Sequence, residues 1–160
     1  MTGILIRDAA PADLGLILAF VRELAEYERL GHEVVATEED FRRSLFGETP
    51  KARALVVERD GRPAGFAIWF YNFSTFLGRP GIYVEDVYVR PEFRGASIGR
   101  MIFRHLAARA LEEGCGRLEW WVLDWNESAI RFYRSIGAVP MDEWTVQRVT
   151  GDALARLAGQ

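Results

Sequence analysis

Cysteine is almost missing from this chain of 160 residues: Cys115 stands alone, so no internal disulfide can form. A reducing cytoplasm suits such a chain better than an oxidising compartment. Long apolar runs are missing too. The start MTGILIRDAA has no charged segment followed by an apolar stretch, and no window reaches the ~18 apolar residues of a spanning helix. Positive charge is not in excess, since 20 Lys and Arg face 23 Asp and Glu for a net charge of −3. This balance argues against a binder of nucleic-acid phosphates and against a membrane surface, and is compatible with a small cationic substrate. Repeats, low-complexity tracts and linkers are absent, which predicts one domain over residues 1–160. Metal-ligand spacing is also absent: His32, His105 and Cys115 do not cluster, and Ser128 and Ser135 have no His partner for a triad.

What is present is organised around Gly81 to Arg100, GIYVEDVYVRPEFRGASIGR, where an alternating strand breaks into a glycine-bearing turn and reopens as a helix. A turn of small residues at a helix N-terminus exposes unpaired amides beside the positive end of the helix dipole, a device for holding an anion such as phosphate. The flanking sequence predicts a strand at 4–7 and an amphipathic helix from Pro11 to about residue 30, with Leu14, Ile17, Leu18, Val21, Leu24 and Ala25 on one stripe. Tyr27 and Glu28 sit at its C-terminal end. Thr37 before Glu38, Glu39 and Asp40 is an N-cap with an acidic first turn, opening a helix to about Phe46. Residues 54–73 form two strands joined by Asp60-Gly61-Arg62-Pro63, the clearest hairpin signal in the chain. Beyond the central strand, Ile82 to Val89, a helix is predicted from about Ser97 to Glu113, a strand at 117–125 and a helix from the cap Asn126 through Ile136. WTVQRV (144–149) is expected as a last strand and 150–159 as a short terminal helix. This order predicts an α/β (α+β) fold: a mixed, mostly antiparallel sheet with helices on both faces.

The turn RGASIG (94–99) is not a nucleotide P-loop, because no Gly-Lys-Ser/Thr follows, and it lacks the third Gly of a dinucleotide fingerprint. Read alone it is weak. In its context, ED-VYVRPEFRGASIG resembles the acetyl-coenzyme A site of the GNAT N-acetyltransferases, whose pattern there is Arg or Gln, two residues, Gly or Ala, one residue, Gly or Ala. The blocks ELAEYE (23–28), FGE (46–48), YVEDVYVRPEFRG (83–95), LDWNESAIRFYRSIGA (123–138) and GDALARLAG (151–159) resemble the spermidine/spermine (diamine) acetyltransferase family, and most its thialysine-acetylating branch.

That resemblance implies the GNAT acyl-CoA N-acyltransferase fold and an enzyme moving acetyl from acetyl-CoA, with no metal, to a primary amine of a small cationic substrate. It implies that backbone of Val87, Tyr88 and Val89 meets the pantetheine arm, that amides of the turn from Arg94 through Gly95, Ala96, Ser97, Ile98 and Gly99 to Arg100 cradle the pyrophosphate, and that Asn126, Ser128, Ala129 and Tyr133 line the cofactor. Glu85 is implied as the base, acting through water, and Tyr133 as the acid that protonates the departing thiolate. The alternation of a strand turns Asp86 to the face opposite Glu85. Asn126 and Tyr133 are two helical turns apart and share one face of their helix. Acceptor residues map to Tyr27, Glu28, Glu85, Glu119, Trp120, Trp121 and Asp142. Ser97 departs from the pattern, which usually has Gly there. Where polyamine-acetylating relatives carry an Asp, this chain has Ser74 and Thr75, which favours thialysine, a lysine-like amino acid or a short diamine. Such enzymes are commonly dimers, so a homodimer is expected. The alternatives are a CoA-binding regulatory module without catalysis and a protein N-acetyltransferase; the presence of both Glu85 and Tyr133 favours the enzyme.

Overall fold

The computed structural model describes residues 3–160. Contacts divide the chain into two compact units, Met1–Trp125 and Asn126–Gln160. The first holds a five-stranded sheet in the order β1-β2-β3-β4-β5, built from β1 (Ile4–Asp8), β2 (Arg53–Arg59), β3 (Arg62–Ser74), β4 (Arg79–Val89) and β5 (Leu118–Trp120). Pairing is antiparallel from β1 to β4 and parallel between β4 and β5, so the sheet is mixed and mostly antiparallel, as the sequence predicts. The β2–β3 hairpin turns on Asp60 and Gly61, at φ 51° and 76°. Both central residues are left-handed, the combination that suits the twist of two flanking strands.

Helices cover both faces. On one side α3 (Ile98–Glu112) presses Ile98, Ile102, Leu106 and Ala110 against Leu55, Val57, Trp69, Ile82 and Val84. On the other, α1 (Leu14–Tyr27) and α2 (Glu38–Phe46) bring Ile17, Phe20 and Leu45 onto Phe66, Ile68 and Tyr88. Phe20, outside the predicted stripe, is fully buried and stacks on Phe66 at 5.1 Å between ring centroids. Pro11 opens a 3-10 turn ahead of α1. Thr37 caps α2, its hydroxyl accepting from the Asp40 amide while the Asp40 carboxylate accepts from the Thr37 amide. Among the described residues no helix is long and apolar enough to cross a membrane.

The second unit contains α4 (Glu127–Ser135) and α5 (Gly151–Leu157). Asn126 caps α4 as predicted, its Oδ1 accepting from the Ala129 amide at 3.3 Å. The strand expected at 144–149 does not form: the segment carries no strand pairing among the described residues. Its alternation is strand-like, but a strand exists only through a ladder to a neighbour, and this segment has none here. The strand predicted over 117–125 likewise shrinks to the three residues of β5, because only Leu118, Glu119 and Trp120 find partners on β4.

Candidate active site

The site begins with a fault in β4. Ile68 pairs with Asp86 but Trp69 pairs with Val84, so Glu85 is an extra residue, a β-bulge. Ile82 and Val84 face α3, whereas Asp86 and Tyr88 fall on the α1 face with their partners Ile68 and Phe66. The simple alternation argument for Glu85 and Asp86 therefore fails at this point, because a bulge breaks the period of two. At the same place the sheet parts. β5 pairs with β4 only from Ile82 to Val84, so from Glu85 to Val89 no strand covers that edge among the described residues. Val87, Tyr88 and Val89 thus hold β3 on one side and leave backbone groups available on the other, which suits an extended amide-bearing arm such as pantetheine.

Asp86 is half-buried on the α1 face of the sheet. Burial, then the nearby charges of Glu85 and Glu28, push its carboxyl up to about 7. Glu28, the C-cap of α1, is half-buried, and that burial raises its carboxyl as well. The Tyr83 phenol is pushed upward by burial and by Glu85, Glu119 and Asp86. The end of α1 and the bulge of β4 thus bring two further carboxyl groups to bear on Asp86, an environment that favours a cation. Sequence reasoning set Asp86 aside; a bulge, which depends on the register of two strands, leaves no mark in one strand's residues.

Other predicted acceptor residues spread over two faces. Glu119 lies opposite Tyr83 and accepts from Asn72 Nδ2 at 3.2 Å, and Trp121 meets the Tyr83 ring edge-on at 5.7 Å. Trp120 turns the other way and packs on Phe103 of α3 at 4.6 Å, away from the carboxylates. Tyr27 lies 6.4 Å from Trp125, ring centroid to ring centroid.

The anion loop follows β4 through a 3-10 turn, Pro91–Phe93. Gly95 takes φ 83° and a Cβ there would meet nothing within 4 Å, so the turn opens into free space. Ser97, at φ 62° and ψ 19°, is the N-cap of α3 but makes no side-chain cap bond. The position is left-handed, which explains why the GNAT pattern has Gly there and means that Ser97 carries about 1 kcal/mol of backbone strain. With no hydroxyl capping them, the first amides of α3 point outward beside a turn of small residues, and the loop fits a pyrophosphate. Arg94 closes the loop, its Nε donating to the Val89 carbonyl at 2.9 Å while the guanidinium lies over Tyr27 and Tyr88.

The remaining predicted residues belong to the second unit. Ser128, Ala129 and Tyr133 lie on α4 behind the cap Asn126, with Tyr133 half-buried and 5.7 Å from the Phe132 ring. Asp142 is exposed in a turn with Glu143.

Residues 19–138 match the Acetyltransferase (GNAT) family. The chain is 42% identical over 171 residues to the thialysine N-epsilon-acetyltransferase of Bos taurus, with 100% of each chain covered. It is 30% identical to the L-ornithine N5-acetyltransferase of Arabidopsis thaliana, covering 93% of this chain and 85% of that protein. An integron cassette protein from the mobile metagenome of V. cholerae shares its fold with a TM-score of 0.81, 29% identity and 99% of each chain covered. A β-bulge and parted strands beside an open, uncapped helix start, together with these matches, place the chain in the GNAT family: it is an acetyltransferase.

Proposed function

We propose that residues 1–160 work as one domain that transfers acetyl from acetyl-CoA to the side-chain amine of a small basic amino acid such as thialysine, lysine or ornithine. The named relatives act on amines of this kind, and the observation that carries the reading is the half-buried carboxyl of Asp86, set with Glu28 beside the bulge of Glu85. A primary amine reaches the site protonated and must shed its proton before it can attack. Glu85 takes that proton through water, with the Asp86 carboxyl next to it in the bulge.

Acetyl-CoA supplies the thioester. Backbone of Val87, Tyr88 and Val89 holds its pantetheine arm, and the amides from Gly95 to Arg100, with Asn126, Ser128 and Ala129, hold the rest. Tyr133 donates the proton that the departing thiolate needs. Tyr133→Phe is expected to cut kcat by roughly 10–100-fold with acetyl-CoA affinity retained; an unchanged kcat removes the phenol from the mechanism.

Support for a homodimer comes from the second unit, where Val139, Met141, Trp144, Val146 and Val149 are all exposed along a strand-like segment that pairs with no strand among the described residues. The free, buried thiol of Cys115 supports a cytoplasmic setting.

The experiment is acetyl-CoA-dependent thiol release over thialysine, L-lysine, L-ornithine, spermidine, putrescine and an aminoglycoside. Turnover of the amino acids above the polyamines is expected. No turnover of any amine with tight CoA binding rejects the reading in favour of a CoA-binding regulatory module.

A further inference from the structure

Among the described residues Arg29 is one of three non-glycine residues in the left-handed region, at φ 63°, directly after the C-cap of α1. Asp60 has a hairpin to make and Ser97 an anion loop to shape. Arg29 closes α1 as a Schellman cap, its amide donating to the Glu26 carbonyl at 3.0 Å and the Leu30 amide to the Ala25 carbonyl at 2.7 Å, and Gly is the residue this position would favour. The strained backbone accompanies a specific placement: the Arg29 guanidinium lies 4.8 Å from the centre of the Trp125 ring, and Trp125 in turn meets Tyr27. Among the described residues it makes no side-chain hydrogen bond or ion pair, although Glu26 and Glu28 stand close to it in sequence. A guanidinium resting on an aromatic ring keeps its N–H edge available, and that edge matches a carboxylate in bidentate fashion. Arg94, the other cation on this aromatic pair, is committed to the Val89 carbonyl.

The end of α1 therefore carries two opposite charges in consecutive residues. Glu28 joins the carboxyl group that favours an ammonium, while Arg29 offers a cation at its border. A diamine or polyamine has nothing to give a guanidinium and is repelled by it. A lysine-like amino acid has an ammonium at one end and a carboxylate at the other. We propose that Arg29 is a specificity-determining residue that pairs with the α-carboxylate of the acceptor and so separates basic amino acids from diamines and polyamines. This rests on the amine acetyltransferase reading above and names what selects the substrate within it.

The test uses the full chain with two matched pairs of acceptors: L-lysine with 1,5-diaminopentane, and thialysine with its decarboxylated analogue. Arg29→Gly suits the left-handed backbone, so the fold should survive, which thermal melting checks. The ratio of kcat/KM for L-lysine to that for 1,5-diaminopentane is expected to fall roughly 10–100-fold, through KM rather than kcat, and Arg29→Lys to restore part of it. If Arg29→Gly shifts both members of each pair by the same factor, or shifts neither, the proposal is wrong while the acetyltransferase reading stands. If the wild-type protein acetylates none of the four amines, that reading fails and the proposal falls with it.

Discussion

The two faces of the sheet are built from the same strands and do different work. Against α3 the buried side chains are apolar along the whole face, from Leu55 and Trp69 on the strands to Ile102 and Leu106 on the helix. Against α1 the core is apolar only in part: Phe20, Phe66 and Ile68 give way to the half-buried Glu28 and Asp86 at the end of α1, with Glu23 held at the border by two bonds from Arg90 of 3.0 and 2.9 Å. The bulge at Glu85 makes the difference possible, since it changes which residues of β4 face α1. One face supplies cohesion, and the other gives up some of it to hold a carboxyl where a charge is costly.

The largest effect that can challenge this division is a cavity in the cohesive face. Leu106→Ala, at a fully buried position, is expected to destabilise the fold by about 2–5 kcal/mol in urea titration. The shape of the activity–pH profile should be unchanged; a moved inflection would show that the faces are not separable.

A smaller effect of opposite sign is expected at Asp86. Its carboxyl is raised from the ordinary carboxylate range to about 7, so the folded state holds the proton more tightly than the unfolded chain does. The stability this contributes is complete below about pH 4 and is lost as pH rises through about 7. Asp86→Asn should therefore raise the melting temperature at pH 8 and leave it nearly unchanged at pH 4, while kcat/KM falls and its inflection near neutrality disappears. Melting shifts of equal size at the two pH values would contradict the burial account.

The smallest effect lies where α3 begins. Ser97→Gly removes the left-handed strain and is expected to stabilise by about 0.5–1 kcal/mol in the same titration. Acetyl-CoA should bind at least as well, since the amides are unchanged. Weaker binding would mean that the Ser97 hydroxyl is itself a ligand.

Local signals were readable where the cause is local. Asp60-Gly61 specified the hairpin, because left-handed backbone needs such residues; Thr37 and Asn126 marked helix starts, because their side-chain oxygens accept the first amides. In α3, Ile98, Ile102, Leu106 and Ala110 recur every four residues and are buried, while Met101 and His105 beside them are only half-buried and Phe103 is buried instead to meet Trp120. Trp120 and Trp121 could be assigned to opposite faces from alternation, but not which face held the carboxylates.

The sequence by itself determined the order of elements apart from the last strand, the turn chemistry, the two helix caps and the family to which the chain belongs. These depend on residue types within a few positions of one another or on blocks kept in order. Only the tertiary structure decided that Glu85 is an extra residue in its ladder, that β5 leaves β4 after Val84, that Asp86 is half-buried on the α1 face, and that WTVQRV pairs with no strand among the described residues. Each of these depends on what lies across from a residue, and cross-strand register and burial are set by the whole sheet rather than by the residues that experience them.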